Sequence, residues 1–135
     1  MATFTKVNDF TRALASKEIN LAGTGLTIAL TNTAINSTAT SISGVTQISY
    51  TNCSSRVLTV SSCAQTGGTL KLVCADLTLT ATGTVGAFRY CVIYDDSSTD
   101  DRLVGVYDYG SAVTLNSGDT FKLDFDGTNG VLTIA

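Results

Sequence analysis

Residues 86–110, GAFRYCVIYDDSSTDDRLVGVYDYG, decide the fold. Phe88, Tyr90, Val92 and Tyr94 alternate with Arg89, Cys91 and Ile93. Both faces of an extended segment therefore carry bulky groups, the pattern of a strand near the middle of a packed sheet. The polar run Asp95–Asp101 interrupts it, and Leu103, Val104, Val106, Tyr107 and Tyr109 then resume the apolar pattern. This predicts a β-hairpin with an acidic, solvated tip. Four of the five tyrosines lie here. Aromatic rings bury the most apolar area, so the hairpin is expected to nucleate the core, with the other strands placed by how they cover it.

With 135 residues the chain is expected to form one domain, residues 1–135, burying roughly two-thirds of its unfolded surface. Its charged content of 14% is well below the roughly 25% usual in soluble domains. Thr, Ser, Gly and Asn fill the gap, which is a β-rich composition. Proline is absent, so the 12 glycines share the turns with Asn, Asp and Ser. A net charge of -3 and a pI near 4.5 argue against nucleic acid, whose phosphates need a positive field. No stretch approaches a membrane span of roughly 20 apolar residues, and no export signal is readable at the N-terminus. A Thr-rich, charge-poor surface is easier to desolvate than one rich in Lys and Glu, a sign that much of it is covered in use.

In chain order, Asn8 or Asp9 is positioned to cap a short helix ending near Ser16, with Phe10, Ala13 and Leu14 on its apolar face. Leu26, Ile28 and Leu30 mark a strand over 26–31, and residues 32–44 read as a long irregular loop with only Ile35 and Ile42 as large apolar groups. Short strands are expected at 45–50 and 56–61, joined by a turn at TNCSS. Gly67-Gly68 signals a turn. Apolar alternation through Leu70, Leu72 and Cys74 then changes parity before Leu77 and Leu79, which predicts a bulge or bend near Ala75 or Asp76 where a strand turns a corner. Beyond Gly110 come a short strand, a turn at 116–119, and a strand carrying Phe121, Leu123 and Phe125 against Lys122, Asp124 and Asp126. A turn at 126–130 and a last strand at 131–135 close the chain. Eight or nine such strands with one short N-terminal helix predict an all-β fold, a two-sheet antiparallel, jelly-roll-like sandwich.

Candidate chemistry is sparse. Cys53, Cys63, Cys74 and Cys91 suffice for two disulfides or a metal site, but there is no CxxC spacing and no histidine, which argues against zinc. Without an export signal the thiols are expected to be reduced and packed as small hydrophobes; Cys53 with Cys63 is the pair if a bridge forms. Asp95, Asp96, Asp100 and Asp101 offer oxygens for calcium, but their spacing matches no EF-hand loop, and a solvated tip accounts for them. Asp119, Asp124 and Asp126 offer paired carboxylates of the kind a glycosidase uses, yet alternation puts Asp124 and Asp126 on the polar face of an ordinary strand. Nucleophile elbows and phosphate loops are absent, so neither a catalytic residue nor a cofactor is assigned. Exposed tyrosines also suit a sugar-stacking platform, weakened by the absence of tryptophan.

The segments KVNDF (6–10), ALTNTA (29–34), TGGTLKLVCADLTLTATG (66–83), GAFRYCVIYDD (86–96), VGVYDYGSAVTL (104–115) and FKLDFDGTNGVLTIA (121–135) resemble small structural proteins of tailed bacteriophages, among them the capsid decoration, or cement, proteins. Residues 35–65 match least. The resemblance implies a jelly roll that sits as a homotrimer on the outside of the head, bound to the major capsid protein. The protein is then made in the host cytoplasm, ends on the virion exterior, and has neither catalytic residues nor a nucleic-acid or membrane partner. An N-terminal arm over residues 1–7, anchored by Phe4 and including Lys6 and Val7, is the expected interface, with Ile35 and Ile42 in the long loop as further contacts. A tail or head-to-tail connector subunit would look similar, and a carbohydrate-binding module is the alternative from another class.

Overall fold

A computed structural model of the chain describes residues 2–135. The protein is all-β, with nine strands, one six-residue α-helix and one 3-10 turn among the described residues. The strands are β1 (Phe4–Lys6), β2 (Leu26–Thr31), β3 (Val60–Thr66), β4 (Thr69–Cys74), β5 (Leu77–Thr80), β6 (Val85–Asp95), β7 (Arg102–Leu115), β8 (Thr120–Leu123) and β9 (Leu132–Ile134). The helix, α1, spans Phe10–Ala15, and the 3-10 turn spans Ile42–Gly44. Hydrogen bonding divides the strands among three antiparallel sheets, ordered β1-β7-β6-β2, β3-β4-β9 and β5-β8. A single contiguous core runs through them.

The β6–β7 hairpin is the centre of the largest sheet, as its two-sided apolar pattern predicts. Phe88, Val92, Ile93, Leu103 and Val104 are almost completely buried. The second strand does not stop at Gly110. It continues to Leu115, and between the pairs Phe88↔Val113 and Tyr90↔Asp108 residues 109–112 bulge out opposite Arg89. Gly110 takes a positive φ of 95° there, a conformation that favours glycine. Asp108 pins the excursion, accepting Arg89 Nε and Nη2 at 2.8 and 3.0 Å and the Gly110 N–H at 2.8 Å.

β2 is buried along its whole length because both its edges and both its faces are covered. β6 pairs one edge. The other is met by residues 48–58, where two of the expected strands were placed. Val45–Tyr50 is not a strand: the Leu30 N–H donates to the Tyr50 hydroxyl at 2.9 Å while the Ile48 N–H donates to the Leu30 carbonyl at 3.0 Å. A side-chain hydroxyl thus replaces a backbone rung, and no ladder forms. Over 56–61 only Arg56, Val57 and Leu58 engage β2, through the Ile28 N–H to the Arg56 carbonyl, the Thr27↔Val57 bridge and the Leu58 N–H to the Leu26 carbonyl. β3 therefore starts later than expected, at Val60.

Gly67 and Gly68 (φ 58° and 86°) make the tight turn between β3 and β4, both left-handed as a type I′ hairpin needs. The parity change at Ala75–Asp76 is a corner, where the chain leaves one sheet at Cys74 and enters another at Leu77. Asp76 fastens it by accepting the Phe125 N–H at 3.0 Å and pairing with Lys122 at 3.0 Å.

The helix begins at Phe10 with Asp9 at the N-cap position, one of the two expected, but neither Asn8 nor Asp9 caps it through its side chain. Asp9 sits at the N-cap position with no side-chain capping bond; its two carboxylate oxygens take Arg12 Nε and Nη2 at 2.6 and 2.8 Å. A bidentate, charge-assisted pair is stronger than a single bond to a backbone N–H.

Candidate functional site

Residues 1–7 were expected to reach a neighbour. In the structure, Phe4–Lys6 is an edge strand of its own sheet, in register with Tyr107, Val106 and Gly105. The Phe4 ring lies 5.2 Å from that of Tyr107. It also covers Gly105 so closely that a methyl group there would overlap the ring and the Thr5 carbonyl. Val7 is buried in its own core, while Lys6 is exposed. Ile35 and Ile42 are half-buried, packed against the same core. The loop that holds them is ordered by its own chain. The Asn8 N–H reaches the Ser37 carbonyl, the Leu103 N–H the Thr40 carbonyl, and the Ile42 N–H the Asp101 carbonyl. Of the five residues, Phe4 alone lines a concavity described below.

That concavity is an aromatic groove of about 350 Å³ between the β1–β7 edge and the segment from β8 to Val131. Phe4, Tyr107, Tyr109, Phe121 and Phe125 form its walls. Tyr107 lies 6.0 Å from Phe125, and Phe121 lies 5.2 Å from both Phe88 and Tyr109 in edge-to-face contacts. Tyr109, beside the bulge at Gly110, is 54% exposed, one of two large hydrophobic residues so open among the described residues. Burial pushes the Tyr107 hydroxyl up to about 12, and the Cys91 thiol beneath it likewise to about 12. Both are neutral at physiological pH, so the floor of the groove is apolar and uncharged.

The predicted carboxylates separate into different roles. Asp95 is buried, accepting the Asn20 N–H at 2.8 Å, the Ser97 N–H at 3.0 Å and the Ser97 hydroxyl at 2.5 Å. It ties the hairpin tip to the loop after α1. Asp96 and Asp100 are exposed, and Asp100 pairs with Arg102 at 3.0 Å. Arg102 also reaches Glu18 at 3.1 Å, and Arg12 joins Glu18 to Asp9, so an ionic network staples α1 to the tip. Among the described residues no three His, Cys, Asp or Glu side chains converge as metal ligands. Asp126 is occupied by the Thr128 and Asn129 N–H groups and the Asn129 amide, each at 2.8 Å. These bonds hold its pKa below the usual carboxylate value. Asp119 accepts the Asn116 N–H in the turn before β8. Asp124 is exposed on the rim of the groove.

The four cysteines are unpaired in the structure. Cys74 and Cys91 are buried, and burial raises the Cys74 thiol to about 11. Cys53 bridges Ala81 while Cys63 pairs with Leu72 in a different sheet.

Sequence reasoning missed two features. The buried role of Asp95 was signalled by Ser two residues on, the pattern in which an Asx side chain bonds the backbone ahead of it. The groove had no local signal, because it is assembled from strands of two sheets. Among the described residues, no helix is long and apolar enough to cross a membrane. No protein-family model, curated protein or solved structure matches this chain.

Proposed function

We propose that this chain is a structural protein of a tailed-phage particle. It acts as a capsid decoration protein, a homotrimer on the outer surface of the head that bridges neighbouring major capsid subunits. The observation that carries the proposal is the aromatic groove, where five aromatic rings, with Tyr109 the most open, line a mainly apolar hollow flanked by Lys122, Asp124 and Asp126 and suited to desolvating a partner's side chains. The sequence resemblance and the charge-poor surface support it. In this reading the three sheets stack as a jelly-roll-like sandwich, and the protein adds buried area across seams that internal pressure from packaged DNA tends to open. It turns over no substrate and holds no cofactor.

The test is particle occupancy. Full-length protein is mixed with undecorated heads, and sedimentation and micrographs are compared with those for Tyr109→Ala and Phe121→Ala. Added density on the outside of the head, weakened by both substitutions, is the expected result. A protein that never sediments with capsids ends the proposal. The exposed ring of Tyr109 in a groove that Asp124 also lines favours a second reading, a pyranose-binding site. A glycan array separates the two, because a decoration protein ignores sugars and follows the capsid.

A further inference from the structure

We propose that the outer edge of β3 is the seam along which copies of this chain join by adding strands to one another's sheets; the inference rests on the homotrimer reading above. Sheet edges carry unpaired backbone groups, and proteins shield them by covering, charge, proline or shortness. Most edges of this fold are shielded. The outer edge of β2 is taken by Ile48, Arg56 and Leu58, that of β7 from Arg102 to Tyr107 by β1 and residues 40–42, and the free side of β5 by Ser54; beyond Tyr107 the bulge at residues 109–112 breaks the β7 edge. β1 and β9 are three residues long, and β8 carries Lys122. β3 differs. It has seven residues, pairs only with β4, and contains no charge and no proline. Ser61, Ser62, Ala64, Gln65 and Thr66 are exposed.

Its geometry is open as well. Thr66 and Thr69 flank the Gly67-Gly68 turn as a pair, and in such a two-residue hairpin the flanking pair is hydrogen-bonded and the next is not. Alternation then turns the backbone of Ala64 and Thr66 toward β4 and that of Cys63 and Gln65 outward. The register irregularity lies at the far end of the strand, between Val60 and Ser62, so the outer part is regular and can extend a ladder.

Charge distribution points to a second copy as the occupant. Between Glu18 and Lys71 the only charged residue is Arg56. Arg56 is itself turned inward, stacked 3.6 Å over the Tyr50 ring and donating to the Ile28 carbonyl. Every acidic residue lies outside that stretch, so copies of this net-negative chain repel through the rest of the molecule and meet without repulsion across the neutral part. In a ring of three the contact is head to tail. β3 then meets a different edge of the next copy, and the uncharged β9 edge lies at the other side of the same sheet.

The experiment measures mass by light scattering at micromolar concentration for the full-length protein, two edge variants and one control variant. Gln65→Pro removes an outward N–H, Ala64→Lys adds an edge charge without altering the backbone, and Thr78→Lys on β5 serves as control. Circular dichroism and thermal melting verify that each is folded. Expected are three times the 14.0 kDa chain mass for the parent and control, and one chain mass for both edge variants. Amide exchange at Cys63 and Gln65 should be at least about 100-fold faster in Ala64→Lys than in the parent. A trimer that both variants leave intact overturns the β3 seam and spares the trimer. A dimer split by both variants supports the seam and overturns the trimer. A parent that is monomeric at all concentrations overturns both, including the case in which β3 is protected only on capsids, because the occupant is then another protein.

Discussion

Replacing Asp95 by alanine probes whether the acidic tip is a structural tie or a ligand site. The side chain is 1% exposed and accepts three hydrogen bonds, two from backbone N–H groups and one from the Ser97 hydroxyl. Bonds to a charged acceptor contribute about 1.5–3 kcal/mol each, and desolvating the carboxylate offsets part of that. Asn20 and Ser97 are themselves exposed, so water can reach the freed donors and each loss falls near the lower bound. The expected cost is about 3 kcal/mol, or about 12 °C in Tm for a domain of this size. Asp95→Asn keeps one acceptor oxygen but presents an amide donor to a donor, so about 1–2 kcal/mol is expected. Urea unfolding followed by circular dichroism, with and without 1 mM calcium, measures all three proteins. A cost below about 1 kcal/mol for Asp95→Ala would refute the tie. A calcium-dependent rise in parent stability that Asp95→Ala abolishes would refute it differently, by making the tip a metal site.

Other consequences are testable on the same material. Asp9, Asp76, Asp108 and Asp126 all have pKa values lowered by hydrogen-bonded partners. The stability they contribute is therefore present above the unfolded value of about 3.9 and lost as pH falls through their lower folded values. Asp101, raised by burial and by the charges of Asp96, Asp100 and Asp95, works in the opposite sense and relieves a penalty on acidification. Tm should be level near neutrality and fall below about pH 4; a rise there would contradict the four-against-one balance. Alkylation without reductant should label Cys53 and Cys63 in the folded protein, slowly because both thiols are raised by burial, and all four only after unfolding. Mass spectrometry finding two or fewer labels after unfolding would mean a disulfide. Gly105→Ala should displace the Phe4 ring and cost about 1–3 kcal/mol, with Phe4→Ala recovering in the double variant only the part due to the ring, because the overlap with the Thr5 carbonyl remains; full additivity would mean the ring does not rest on Gly105.

Local chemistry was legible where the pattern repeats over short range. The two-sided apolar alternation of residues 86–95 made a central strand, because only a strand covered on both faces accommodates bulk at every position. Gly67-Gly68 made a turn because few other residues tolerate two successive left-handed conformations. The parity change near Ala75 announced a corner. Placement was decided by tertiary structure. Residues 45–58 carry strand-like composition yet form no strand, because β2 satisfies its outer edge with the Tyr50 hydroxyl and scattered backbone bonds instead of a ladder. The N-terminal segment pairs with β7 because its Phe4 ring fits over Gly105, a residue about a hundred positions away that no local pattern connects to it. The groove exists only because Phe121 and Phe125 on one side are brought against Phe4, Tyr107 and Tyr109 on the other. Alternation assigns a side chain to a face; which faces meet is settled by the packing of the whole chain.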